Sequence, residues 1–331
     1  MIIYKEIMGT FLITGGAGFI GSTLCGRLLQ AGHSVFVIDN FNDYYDPKIK
    51  ESNIRDYQAL PSFHLVRGDI TDFALMKRLF ADNHFDYVIH LAARAGVRPS
   101  LADPLAYQKT NCEGTNVVLE CARLYGVKKL IMASSSSVYG NNKKVPFEET
   151  DCVDFAISPY AATKKANEVL AHVYHAIYHQ DIILLRFFTV FGPRQRPDLA
   201  INKFVRAIRS GKALDLYGDG STYRDYTFIG DICKGIEEAI AYLAVHEDVY
   251  EIVNLGSNHP ITLTEMVQTI EKVVGKKATI HYLPMQDGDV DGTYASIQKA
   301  QRLFGYSPET SFEEGIRAFY KWLLSQTNYV K

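Results

Sequence analysis

The chain has 331 residues, 47% of them hydrophobic and 22% charged, enough to bury one large core or two joined ones. Its 35 Lys plus Arg nearly cancel 37 Asp plus Glu, which excludes a global field for nucleic acid or an anionic membrane and requires any anionic ligand to be gripped locally. Five scattered cysteines without a CxxC pair argue against a disulfide framework and a zinc site, and no apolar run reaches the roughly 18 residues of a membrane span. Residues 1–6 show no signal-peptide pattern, so a cytoplasmic protein is expected, with Met8 as a second candidate start.

Residues 11–14 form the first predicted strand and run directly into Thr14-Gly15-Gly16-Ala17-Gly18-Phe19-Ile20-Gly21, which opens a helix over 19–31. Gly15, Gly18 and Gly21 let the backbone approach a pyrophosphate, whose charge the free N–H groups of the helix N-terminus favour; Phe19 and Ile20 lie in the same first turn. A tight strand-to-helix turn is the plainer reading of such a cluster. A second strand, 35–38, is closed by Asp39, 18 residues after Gly21, where a carboxylate accepts both hydroxyls of an adenosine ribose. Asn40 and Phe41 supply no cation for a 2′-phosphate, so NAD is favoured over NADP. Asp69 and Ile70 follow the third strand, where they are placed to meet adenine; a helix N-cap or loop carboxylate is the alternative for Asp69.

A helix over 71–82, a strand over 87–90 leading into Leu91-Ala92-Ala93, a helix over 103–125 and a strand over 130–132 come next. The run Ser134-Ser135-Ser136-Ser137 carries that strand to the carboxyl edge of a sheet, as reactive hydroxyls or as a polar turn. A helix over 158–180 starts with Ser158 as N-cap and Pro159 in its first turn, and it sets Tyr160 and Lys164 on one face. A neighbouring ammonium is expected to lower the tyrosine pKa and make it a usable base for an alcohol. After a strand over 182–185 the rhythm changes near residue 190 to loops dense in Gly, Pro, Arg and Asp, with short strands such as 214–217.

Continuous apolar runs imply strands buried on both faces, and their alternation with helices implies an α/β protein with a doubly wound parallel Rossmann-type sheet and a smaller C-terminal substrate-binding domain. The expected division is 1–189 for dinucleotide binding, with a strand near 251–256 returning to its sheet, and 190–331 for a second ligand. The ten histidines form no metal set, and His175 with His179 decorates a helix, so no metal is expected.

The glycine pattern, His90-Leu91-Ala92-Ala93, Ser135 with Val138-Tyr139-Gly140, Tyr160-xxx-Lys164 and Arg224-Asp225-Tyr226 together resemble the extended short-chain dehydrogenase/reductase family over nearly the whole chain. The resemblance implies that Ser135 bonds a sugar oxygen, Tyr160 shuttles its proton, Lys164 binds the nicotinamide ribose, and Asn111 sits on a helix lining the same site. Members that dehydrate or decarboxylate sugars carry an acid where this chain has Ser137, which implies chemistry limited to hydride out and hydride back. The stretches 40–47, 95–98 and 186–198 resemble UDP-glucuronate 4-epimerases in particular. That resemblance implies that Thr189, Ser136 and Ser137 hold a sugar carboxylate and that Arg196 or Arg98 pairs with it. It likewise makes the ligand of 190–331 a nucleotide sugar and puts Arg194 and Arg224 on the diphosphate, Leu216 and Tyr217 beside uracil, and Asp289 among the nucleotide contacts. A neutral UDP-hexose epimerase, a net dehydrogenase or reductase, and a dinucleotide-sensing scaffold are the rival readings. Helices 103–125 and 158–180 imply a homodimer, as the family forms.

Overall fold

Strands without polar alternation must be covered on both faces, and this requirement sorts the molecule into layers. The computed structural model describes residues 8–284 and 292–326. In chain order it runs β1 (Thr10–Thr14), α1 (Phe19–Gln30), β2 (Ser34–Asp39), α2 (Pro47–Ile54), β3 (Phe63–Arg67), α3 (Phe73–Asp82), β4 (Tyr87–His90), α4 (Val97–Ala102), α5 (Pro104–Tyr107), α6 (Gly114–Leu124), β5 (Lys129–Ser135), α7 (Pro159–Tyr178) and β6 (Asp181–Phe187). It continues with β7 (Thr189–Phe191), α8 (Ala200–Ser210), β8 (Leu214–Tyr217), β9 (Tyr223–Phe228), α9 (Ile229–Val245), β10 (Tyr250–Leu255), β11 (Pro260–Thr262), α10 (Leu263–Val274), β12 (Ile280–Leu283), α11 (Gln298–Phe304) and α12 (Phe312–Ser325).

Seven strands form one parallel sheet in the order β10-β6-β5-β4-β1-β2-β3, the doubly wound arrangement the apolar runs predict. Side chains alternate along each strand: Phe11, Ile13, Val35, Val37 and Ile89 pack with α1 and α9 on one face. Leu12, Ile38, Val88 and Leu130 pack with α3, α6 and α7 on the other. Truncating one of these fully buried positions, Leu12→Ala for instance, costs about 2–5 kcal/mol. β1 has β2 on one side and β4 on the other, so successive crossovers diverge there and leave a crevice at the strands' carboxyl ends.

The later helices α8, α10 and α12 enclose a separate core of Ile201, Val205, Met266, Ile270, Ile316 and Phe319, joined by Leu214 and Leu216 of β8. Two small sheets, β11-β9-β7 and β12-β8, face this core. One predicted helix departs from its simple form: the segment 103–125 is α5, a π-helical turn over Gln108–Glu113, and α6. The wider turn falls at Asn111, and such turns recur at functional sites. Among the described residues no helix is long and apolar enough to cross a membrane.

Candidate active site

β1 ends at Thr14, and the chain must turn at once to start α1. Gly15 does so at φ +68, and a Cβ on it would lie 2.8 Å from the Ala92 Cα; a Cβ on Gly21 would lie 2.5 Å from the Gly15 carbonyl oxygen. Gly18 caps α1 with no side-chain hydrogen bond to its first turn, the kind of helix start whose amides suit a ligand anion. Asp39, only 5% exposed, ties this loop together. Its carboxylate accepts from the Ala17 N–H at 3.2 Å, the Phe41 N–H at 3.0 Å and the Lys50 ammonium at 2.9 Å.

The second cluster sits at the end of β5. Ser135 Oγ accepts from the Ser137 N–H at 3.1 Å, starting the 3₁₀ turn Ser136–Tyr139. Ser158 Oγ caps α7 by accepting from the Ala161 N–H at 3.1 Å, with Pro159 next, and this fixes Tyr160 at the helix mouth. Ser135 neighbours the Tyr160 phenol closely enough to pull its pKa down. Lys164 Nζ donates to the Ala133 carbonyl at 2.7 Å and lies 6.0 Å from the Tyr160 ring centroid. Asn111 is buried behind them. It accepts from the Arg94 N–H at 2.8 Å and donates to Thr163 Oγ1 at 3.0 Å, which locks the loop after β4 to α7.

Burial governs the ionisation of both groups. It pushes the Tyr160 phenol up from its ordinary value, against the Ser135 hydrogen bond and the Arg196 charge, which pull it down. The expectation that the lysine would make this phenol more acidic is therefore corrected: desolvation outweighs the Ser135 hydroxyl and the Arg196 charge. Burial also brings Lys164 down to about 8, with Cys112 and Glu168 acting in the opposite sense.

These clusters open into one cavity of about 520 Å³. Gly15, Gly18, Phe19, Ile20, Gly21, Asp39, Asn40, Ile70, Leu91, Ala92 and Ala93 line one part, and Ser135, Ser136, Ser137, Tyr160, Lys164 and Thr189 the next. Arg196 and Arg224 close it from the C-terminal side. Ser137 Oγ is buried with no hydrogen-bond partner, in a residue that lines the cavity.

Five predicted contacts are not among the lining residues. Arg194 turns back at φ +69 and donates to the Ser22 carbonyl at 2.9 Å and the Tyr57 hydroxyl at 2.8 Å, clamping the loop after β7 onto α1. Asp69 is held by Asn40 Nδ2 at 2.7 Å and by Thr71, the loop-carboxylate role. Along β8 alternation sends Leu216 inward, 2% exposed, into the core under the small sheets. Tyr217 faces out and stacks under Arg98, whose guanidinium carbon is 5.6 Å from the ring centroid; Arg98 is exposed. Asp289 lies outside the described residues.

The cavity also holds residues not foreseen. Lys50, 7% exposed, supplies beside Asp39 the cation that Asn40 and Phe41 lack, eleven residues further along and already paired with the carboxylate. A signal was present: Pro47 and Asp46 start a helix whose next turn must return to the strand end. Tyr44 lines the cavity under Arg196, with the guanidinium 5.1 Å from its ring centroid, and Thr293 lines it from the far side. Arg224 enters the cavity, and its neighbour Asp225 accepts instead from Ser257, Asn258 and Ala295.

The family model described as GDP-mannose 4,6 dehydratase matches residues 12–319. An uncharacterised protein of Methanocaldococcus jannaschii is 43% identical over 99% of this chain and 98% of its own. A UDP-glucuronate 4-epimerase of Thermodesulfobacterium geofontis is 41% identical, covering 98% of this chain and 99% of that one. The crystal structure of the UDP-glucuronic acid 4-epimerase of Bacillus cereus with UDP-glucuronic acid and NAD superposes with a TM-score of 0.90 at 36% identity, over 96% of this chain and 99% of that chain.

Proposed function

The chain belongs to the GDP-mannose 4,6 dehydratase family of extended short-chain dehydrogenase/reductases, and from that premise we propose that it catalyses the NAD-dependent 4-epimerisation of UDP-glucuronate to UDP-galacturonate. The observation that carries this reading is a single cavity in which the glycine loop and Asp39 adjoin Ser135, Tyr160 and Lys164, with Ser136, Ser137 and Thr189 in the same lining. The residues present fit the cofactor. Gly15 and Gly21 are what the tight turn after β1 requires, since a Cβ would strike the Ala92 backbone or the Gly15 carbonyl; the N-terminus of α1 favours an anion, and the Asp39 carboxylate at the end of β2 suits ribose hydroxyls.

When bound, NAD accepts and returns a hydride at sugar carbon 4. The protein's own part is to move one proton and hold the sugar. Tyr160 takes the proton of the carbon 4 hydroxyl and later gives one back, with Ser135 hydrogen-bonding the same oxygen. The raised phenol pKa is offset at the moment of transfer by the neighbouring Ser135 hydroxyl and the positive charge of Arg196. Oxidation at carbon 4 makes the sugar a β-keto acid, which loses carbon dioxide when the breaking bond aligns with the carbonyl π system. Ser136, Ser137 and Thr189 hold the carboxylate out of that alignment, and no acid stands at position 137 to handle a proton at carbon 5. Arg196, whose Nε and Nη2 fork onto Asp198, brings a positive charge to the sugar carboxylate, and Arg224 is the diphosphate partner.

The division into a dinucleotide domain over 1–189, to which β10 contributes a strand, and a nucleotide-sugar domain over 190–331 belongs to this proposal. So does a homodimer through α6 and α7: Val169, Val173 and Ile177 recur at four-residue spacing on α7 and are 56%, 40% and 61% exposed. Sedimentation of a monomer at micromolar concentration would remove that assignment.

Proton NMR of the purified protein with UDP-glucuronate tests the reaction, because the coupling at carbon 4 changes from axial to equatorial. UDP-galacturonate formed without added NAD establishes both turnover and a retained cofactor. No conversion with NAD present refutes the proposal. Thr189→Ala is expected to raise carbon dioxide release per turnover; an unchanged ratio removes Thr189 from the carboxylate.

A further inference from the structure

Behind the cavity lies a charged pair that the proton transfer does not use. Glu168 of α7 and Arg186 of β6 have side chains 1% and 2% exposed and meet in a bidentate fork, Nε to Oε1 and Nη2 to Oε2, both 2.8 Å. A buried ion pair loses hydration that its attraction only just repays, and well-packed apolar replacements are often as stable or more so. Stability alone therefore gives no reason for this pair, and its connections show a different one.

Glu168 stands one helical turn beyond Lys164, on the same face. Its Oε1 also accepts from Ser134 Oγ at 2.7 Å. Ser134 and Arg186 are cross-strand partners of β5 and β6, so both point from one face of the sheet toward Glu168, while Ser135 points from the opposite face. Arg186 Nη1 donates to the Tyr139 hydroxyl at 2.9 Å, and that hydroxyl donates to Asn254 Oδ1 of β10 at 2.7 Å. One carboxylate thus joins the helix bearing Tyr160 and Lys164 to both ends of the serine turn.

We propose that Glu168, pinned by Arg186, is a positioning residue: it fixes Lys164 and the Ser134–Tyr139 turn at the separation at which Ser135 and Tyr160 share one substrate oxygen, and it keeps the Lys164 ammonium charged. The groups facing Lys164 are Tyr160 and Glu168 on its own helix, Cys112 of the π-helical turn, His90 of β4 and the Ala133 carbonyl of β5. Glu168 is the only full anion among these named groups. Removing its charge leaves the Arg186 cation uncompensated on the same side, and both changes favour the neutral amine.

The inference rests on the epimerase reading for its kinetic arm and on lysine titration for its independent arm. In the NAD-loaded protein with ¹³Cε-labelled lysine, the Lys164 resonance is the one lost in Lys164→Met. Glu168→Gln is expected to lower kcat at least ~10-fold with KM within about threefold, and to move the Lys164 midpoint down by roughly one pH unit. Ser134→Ala, which removes one hydrogen bond and no charge, should lower kcat about 3-fold with only a small fall in melting temperature. Glu168→Asp should recover part of the midpoint. A Glu168→Gln protein that loses thermal stability but keeps the wild-type kcat and midpoint assigns the pair to structure only and overturns the proposal. Where that variant does not fold, a wild-type kcat in Ser134→Ala overturns it. Because the titration is read without sugar, a chain that fails to epimerise refutes the proposed function alone, whereas turnover with an unmoved midpoint refutes this inference alone.

Discussion

The two walls of the cavity are built in different ways. On the sheet side the contributions hang from strand ends and the loops after them, with Tyr160 and Lys164 added by α7: Gly15 after β1, Asp39 at the end of β2, Ala92 after β4, Ser135 at the end of β5, Thr189 after β6. Their positions follow from backbone pairing, and their chemistry from burial. On the opposite side the contributors are long side chains on irregular loops, and three arginines within reach have three fates. Arg196 enters the cavity beside Asp198, Arg194 clamps the loop to α1, and Arg98 stacks on Tyr217 at the surface. A wall made by strand ends tolerates little choice; a wall made by arginines is selected by their partners.

Substitutions on each wall sharpen this contrast. The largest effect is expected on the sheet side, where Tyr160→Phe should lower kcat ~1000-fold while the protein keeps its cofactor, read from absorbance of the purified protein. Cofactor loss in that variant would mean that the two clusters are not independent. On the arginine side, Arg196→Met should raise KM for UDP-glucuronate by about 10–100-fold, the weight of a charge-assisted hydrogen bond. Arg194→Met should leave KM within about threefold and lower the melting temperature instead, since it removes two bonds to Ser22 and Tyr57. Equal KM effects from the two would break the distinction.

The smallest effect concerns acid stability. His90 bonds Thr14 Oγ1 at 2.7 Å and Thr115 Oγ1 at 2.9 Å, and burial, aided by Lys164, pushes it from 6.5 to about 3. The folded chain then keeps the ring neutral where the unfolded chain protonates it. Its contribution is whole above pH 6.5 and is lost as pH falls toward 3, up to ~5 kcal/mol in all. At mildly acid pH only a fraction of this is felt. His90→Asn should flatten the decline of melting temperature between pH 6.5 and 5, although it lowers the temperature at neutral pH; an unchanged slope would show that the ring is protonated in the fold.

The parallel sheet, the glycine turn, the Asp39 carboxylate and the serine, tyrosine and lysine cluster were legible in the sequence because each is encoded within a few residues. An apolar run is a buried strand, strand ends in a doubly wound sheet face the crevice, and a spacing of four on a helix shares a face. What only the tertiary structure decided depends on meetings between distant segments. Lys50 meets Asp39 because α2 returns across the strand end, and Glu168 meets Arg186 and Ser134 through three different elements. Burial of Tyr160 reverses the pKa shift its lysine alone would give. The reach of each arginine was undecided for the same reason: a guanidinium on a long flexible stem binds whichever oxygen or ring the fold brings near, and no local pattern records which one that is.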